Sequence, residues 1–129
     1  MRITKLFSSI LFLLLVFTAS GCPKAEKAAY ETAVGAKAFT QSIKDKHTEC
    51  ENQANTMPVC QALRRAIAFK DLLIDAGEVY CGGAQFETGG ACNPPAKGTP
   101  AAKLALDKLN AAVSNWKQAD SDLRAALSQ

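Results

Sequence analysis

The chain has 129 residues, with 15 Lys and Arg against 12 Asp and Glu, 48% hydrophobic and 7% aromatic residues, five cysteines and one histidine. That length supports one domain. Five cysteines in so short a chain, beside a single imidazole, argue against a multidomain cytosolic enzyme and point to an exported module held by disulfides.

The first segment reads as an address. Arg2 and Lys5 supply a positive start, and Leu6 to Phe17 is an almost unbroken apolar run. The run is shorter than the ~20 residues that span a bilayer, so a permanent transmembrane anchor is not expected. It ends in small residues, Thr18-Ala19-Ser20-Gly21-Cys22. This segment resembles a bacterial lipoprotein signal with its lipobox. The resemblance implies that the signal, residues 1–21, is cut just before Cys22 and that Cys22 carries the acyl chains. It also implies that Ala19, Ser20 and Gly21 form the recognition tripeptide, with Ala19 standing where that class most often has Leu. The alternative is ordinary secretion, with cleavage after the same small residues. Cysteine parity favours lipidation, because an oxidising compartment would otherwise leave one of the five thiols unpaired, whereas acylated Cys22 leaves an even set of four. Pro23 follows the cysteine, and by resemblance to enterobacterial sorting the lack of Asp there implies an outer-membrane anchor facing the periplasm. The expected address is the bacterial cell envelope, with the membrane as a partner through the N-terminal lipid.

Residues 22–129 are read as one helical domain with an N-terminal tether. Without Arg2 and Lys5 the domain carries 13 basic against 12 acidic residues, and its longest basic run is Arg64-Arg65. A nucleic-acid partner is therefore not expected. The first helix is predicted from about Lys24 to Asn52, with Ala29, Ala33, Ala36, Thr40, Ile43, His47 and Cys50 forming a thin inward row. Tyr30, Val34 and Phe39 lie beside that row and supply its bulk. Asn52 to Met57 breaks the helix, with Asn or Thr as cap and Pro58 tolerated in the next first turn. The second helix, about Pro58 to Tyr80, is the most apolar, through Val59, Leu63, Ala66, Ile67, Leu73, Ile74 and Ala76. Gly82-Gly83 stops it. The connection from Cys81 to Thr99 has four glycines before Cys92, which disfavour a helix, and Pro94-Pro95 stiffens its exit. Thr99-Pro100 is a second cap-and-proline start. The third helix, about Pro100 to Leu127, carries the row Ala102, Leu106, Leu109, Val113, Trp116, Asp120, Leu123 and Leu127. Ala105, Ala112, Ala119 and Ala126 recur every seven residues beside it. The expected fold is all-α: an antiparallel three-helix bundle with two local disulfides.

The disulfide pairing follows from that geometry. Cys60 and Cys81 lie at opposite ends of helix two, about 31 Å apart at helical rise, far beyond the roughly 7 Å that a disulfide allows between Cα atoms. Cys50 and Cys81 fail for the same reason in an antiparallel pair. What remains is Cys50 with Cys60 and Cys81 with Cys92.

Little catalytic chemistry is visible. There is no C-x-x-C for a metal and no C-x-x-C-H for haem, so no metal or other cofactor is expected. The GG pairs lack the context of a phosphate loop. His47, the only imidazole, reads as a packed structural residue. Asp71, Asp75 and Glu78 share a helix face that is either an acidic patch or, more simply, a solvated surface. Asp120 interrupts the apolar row and is expected to pair with a Lys or Arg or to fix register, and Trp116 reads as core. Gln85, Phe86 and Glu87 occupy the tip of the loop that Cys81 and Cys92 close. There Phe86 either anchors a partner or folds back over the bundle end. The function expected is a lipid-anchored, non-catalytic binding or structural module that contacts another envelope protein. Its rivals are a carrier holding a small apolar ligand among the helices and an enzyme, which would bring His47 and a carboxylate together in a cleft.

Overall fold

The computed structural model describes residues 23–83, 85–89 and 92–129, and the expectations placed on Ala19, Ser20, Gly21 and Cys22 lie outside them. The described chain is mostly helical, with no strand among these residues. Its four helices are α1 (Pro23–Lys46), α2 (Pro58–Cys81), α3 (Gln85–Thr88) and α4 (Pro100–Leu127), and a 3-10 turn, Thr48–Glu51, follows α1.

Local chemistry sets each boundary. α1 is built mainly from Ala, Lys, Glu and Gln, all good helix formers. Glu26 in its first turn and Lys44 and Lys46 in its last complement the helix dipole. It ends at Lys46, six residues short of the predicted Asn52. Beyond that point His47 donates its backbone N–H to Ile43 and the chain tightens, with the Cys50 N–H bonded to the His47 carbonyl at 2.9 Å. The tighter turn swings Cys50 back toward α2, which a continued α-helix would not do.

α2 starts at Pro58 as expected, but its cap differs: neither Asn nor Thr sits at the N-cap, which is Met57, without a side-chain bond. Asn55 acts one step earlier, its Oδ1 accepting the Met57 N–H at 2.9 Å. At the other end Gly82 has φ +75° and Gly83 donates to the Glu78 carbonyl at 2.8 Å, so the paired glycines do terminate the helix. α4 starts on Thr99, whose Oγ1 accepts the Ala102 N–H at 3.2 Å, with Pro100 in its first turn.

α2 packs against both long helices, most extensively against α4. In α1 the predicted row Ala29, Ala33, Ala36, Thr40, Ile43 and Cys50 is buried, while His47, Tyr30 and Phe39 are half-buried. Val34 is exposed, contrary to expectation, because it lies too far round the helix from the alanine row. The α2 core holds Val59, Leu63, Ala66, Leu73 and Ile74 of the predicted set and adds Cys60, Gly77, Tyr80 and Cys81, while predicted Ile67 and Ala76 are half-buried.

The α4 seam is rotated from the one expected. Its buried residues are Ala105, Leu109, Ala112, Trp116, Ala119 and Leu123, in steps of four and three. Ala102, Leu106, Val113, Asp120 and Leu127 of the predicted row are half-buried flanks. The seam alternates alanine with large residues: Leu109 and Leu123 are its largest fully buried side chains, and Ala105, Ala112 and Ala119 between them favour close approach of a neighbouring helix. Asp120 thus stands at the rim, where its carboxylate accepts from Arg124 Nε at 3.0 Å. The Arg124 guanidinium in turn lies 4.3 Å from the centre of the Phe39 ring.

Disulfides join Cys50 to Cys60 and Cys81 to Cys92, one near each end of α2. Among the described residues no helix is long and apolar enough to cross a membrane.

Candidate functional site

The connection closed by Cys81 and Cys92 is more ordered than its glycines suggested. Between the two GG pairs, Gln85–Thr88 form α3, a single helical turn. Phe86 holds it down. Its ring is 3% exposed, seated over Gly77 and meeting Tyr30 edge to face at 5.9 Å. Of the two alternatives for Phe86, an exposed partner anchor or a cover for the bundle end, the second holds, since an isolated aromatic gains more from burial than from water. Glu87 stays exposed and pairs with Lys37 of α1. Gln85 opens the turn.

On the far side of the same disulfide lies an apolar groove of about 900 Å³. Tyr80 from the end of α2, Cys92, Pro94 and Pro95 from the connection, and Ala102 and Leu106 from α4 form its apolar wall. Glu26, Lys97 and Lys103 supply charge. Lys103 donates to Asp107 at 2.6 Å, and that hydrogen bond holds its pKa above the ordinary lysine range. Neither Tyr80 nor the proline wall was singled out from the sequence. The available signal was Pro94-Pro95 two positions after Cys92, a stiff apolar ledge beside a crosslink.

A second, smaller pocket of about 420 Å³ sits at the other disulfide, lined by Lys44, His47, Cys50, Glu51, Gln53, Leu63, Arg64 and Ile67. His47 meets a carboxylate here, its Nδ1 lying 2.8 Å from Glu49 Oε1. That hydrogen bond, chiefly, keeps the Glu49 carboxyl below its ordinary range. Arg64 Nη2 donates to the Asn55 carbonyl at 2.6 Å, whereas its Nη1 is buried without a partner. The lining holds a base and two cations, and its one sulfur is locked in the disulfide with Cys60, so it offers no thiolate.

Glu26, Cys81 and Cys92 offer ligand atoms within 4.8 Å of one another. With the two sulfurs bonded to each other no thiolate is present, and a lone carboxylate does not make a metal site. The acidic face of α2 is dispersed: Asp71 pairs with Lys70 at 2.7 Å, Asp75 is exposed and Glu78 is half-buried. Trp116 is buried in the α4 seam.

α2 also carries an apolar stripe at the edge of the bundle. Phe69, Leu72, Ala76 and Val79 follow one another in steps of three and four; Leu72 and Val79 are 54% and 65% exposed, whereas Phe69 and Ala76 are half-buried against the core. The chain matches no protein-family model, no curated protein and no solved structure.

Proposed function

We propose that this chain is a lipid-anchored protein of the bacterial cell envelope whose helical domain is a non-catalytic binding module. Exposed Leu72 and Val79, flanked by half-buried Phe69 and Ala76 on the same face of α2, carry this reading, because large apolar side chains grouped on one helix face in water offer a contact surface for another protein. Phe86 no longer contributes to it. We also infer that the three long helices alternate in direction. Support comes from Tyr30, early in α1, meeting Phe86 beyond the end of α2, and from Arg65, early in α2, lying 3.8 Å from Asp122 near the end of α4.

Two measurements test the reading. The first is the intact mass of the protein purified from its own membranes, with and without reduction and alkylation. Acyl mass at Cys22 with four cysteines blocked is expected, and an unmodified N-terminus with a free thiol removes the anchor. The second is photo-crosslinking in the native envelope from Leu72 and from Val79. The same protein adduct is expected from both and should be lost in Val79→Lys. Adducts arising equally from exposed Lys108 would remove the stripe as a contact face.

A second reading, a carrier of a small apolar ligand, is favoured by one observation, the groove of about 900 Å³ beside the Cys81–Cys92 disulfide. That volume lies within the roughly 300–1,000 Å³ typical of small-molecule sites.

A further inference from the structure

We propose that the groove beside the Cys81–Cys92 disulfide binds a free long-chain fatty acid, its tail against the proline wall and its carboxylate on Lys97 and Lys103. The inference rests on the carrier reading and gives it a ligand class.

Three features of the groove select a hydrocarbon tail. Its wall is apolar, made by Tyr80, Leu106, the cystine at Cys92 and three prolines, Pro94, Pro95 and Pro100. Proline has no backbone N–H, so this stretch of wall presents few donors that a hydrocarbon would strand without a partner. The connection is also held from two sides, by the disulfide and by the Asn93 N–H bonded to the Cys81 carbonyl at 3.0 Å. The wall is therefore shaped before any ligand arrives, which reduces the ordering cost of binding.

The charges select the head group. Lys97 and Lys103 line the groove against one carboxylate, Glu26, so the lining carries net positive charge. Lys97 forms no ion pair among the described residues. Lys103 uses Asp107, but an ammonium has three donors and keeps others for a second oxygen. An apolar wall and two cations in one groove together fit an amphiphile with one negative end better than a neutral apolar molecule. Glu26 lies in the first turn of α1, so on the anchored reading the groove opens near the membrane, the source of such ligands.

The test uses full-length protein, reconstituted without detergent and incubated with a diazirine-bearing palmitate. Adducts are mapped by peptide mass spectrometry. Labelling is expected on the segment from Cys92 to Leu106 and on Tyr80. Ala102→Trp, which fills the groove, should reduce it at least about fivefold. Lys97→Ala combined with Lys103→Ala should weaken palmitate binding about tenfold and leave the matching methyl ester unchanged. Circular dichroism of both variants checks that they fold, and unlabelled palmitate competing with the probe on the unmodified protein gives a readout free of mutation. Equal binding of acid and ester, labelling confined to the Leu72 and Val79 stripe, or no competition would each overturn the proposal. So would labelling that appears only in Cys22→Ser, because the groove would then belong to the protein's own acyl chain. The anchor and the α2 contact face are read by intact mass and by envelope crosslinking, so a failure of this proposal is separable from a failure of either.

Discussion

Two helical glycines show how much a single side chain decides. A Cβ added at Gly77 would lie 2.3 Å from the Phe86 ring, whereas at Gly35 it would meet nothing within 4 Å. Gly35→Ala should therefore stabilise the protein by about 0.5–1 kcal/mol through helix propensity alone. Gly77→Ala gains the same propensity but must expel the ring, and overpacking of about 1–3 kcal/mol is expected to prevail. Urea unfolding of the two variants gives opposite shifts if Phe86 is seated as described; two stabilised variants would mean that the ring is not held there. Glu49 offers a titration test. Hydrogen bonding to His47 lowers its folded pKa, so its contribution to stability is present above the unfolded carboxyl value and is lost as pH falls through the lower folded one. Replacing His47 by Ala should move the Glu49 midpoint upward in an NMR titration, and an unmoved midpoint would show that the bond is not formed in solution. The inward row of α1 was legible in the sequence because a thin alanine face has no other use. Phe86 was legible only as a choice between partner anchor and bundle-end cover, since the residue that decides it, Gly77, lies nine residues away on another element.

At the scale of the element, α4 shows where periodicity misleads. Large apolar residues draw attention to the row through Leu106 and Val113, yet the buried seam runs through Ala105, Ala112 and Ala119 together with Leu109, Trp116 and Leu123. Helix separation is set by the smallest residues on the facing surface, and the larger ones then fill the sides. The rotation explains Asp120, which looked like a charge in the core and stands at its rim. Two substitutions separate the alternatives. Ala119→Leu enters a site with 1% exposure and should cost about 1–3 kcal/mol, whereas Asp120→Ala should change stability by no more than about 0.5 kcal/mol. A seam through Asp120 would give the reverse order in guanidinium unfolding. Helix ends were more legible than helix faces: Gly82 and Thr99 act through backbone geometry that their residue types dictate. α1 stops early for a reason outside its own sequence, the need to bring Cys50 to Cys60.

For the whole molecule, the two disulfides sit at opposite ends of the same central helix and constrain separate connections, with sequence separations of 10 and 11 residues. Closing a loop of that size is worth about 2–3 kcal/mol in chain entropy. The ends of α2 are far enough apart for the two contributions to add, giving about 5 kcal/mol. A domain of this size has a net stability of about 5–15 kcal/mol, and this one builds much of its core from alanine, which buries little area per residue. The crosslinks are thus comparable to the stability that remains. Replacing Cys81 and Cys92 with Ala should lower stability by about 2–3 kcal/mol and release α3, detectable as faster hydrogen exchange at Phe86 with the turn at Cys50 unchanged. Removing both pairs should leave a large fraction of the protein unfolded at 37 °C, read as lost ellipticity at 222 nm. A fully folded, cooperatively melting quadruple variant would show that the alanine seams suffice alone. The expected losses separate two roles: removing either crosslink alone leaves the α2 stripe in place and frees only its own connection, whereas folding of the whole domain depends on the two together.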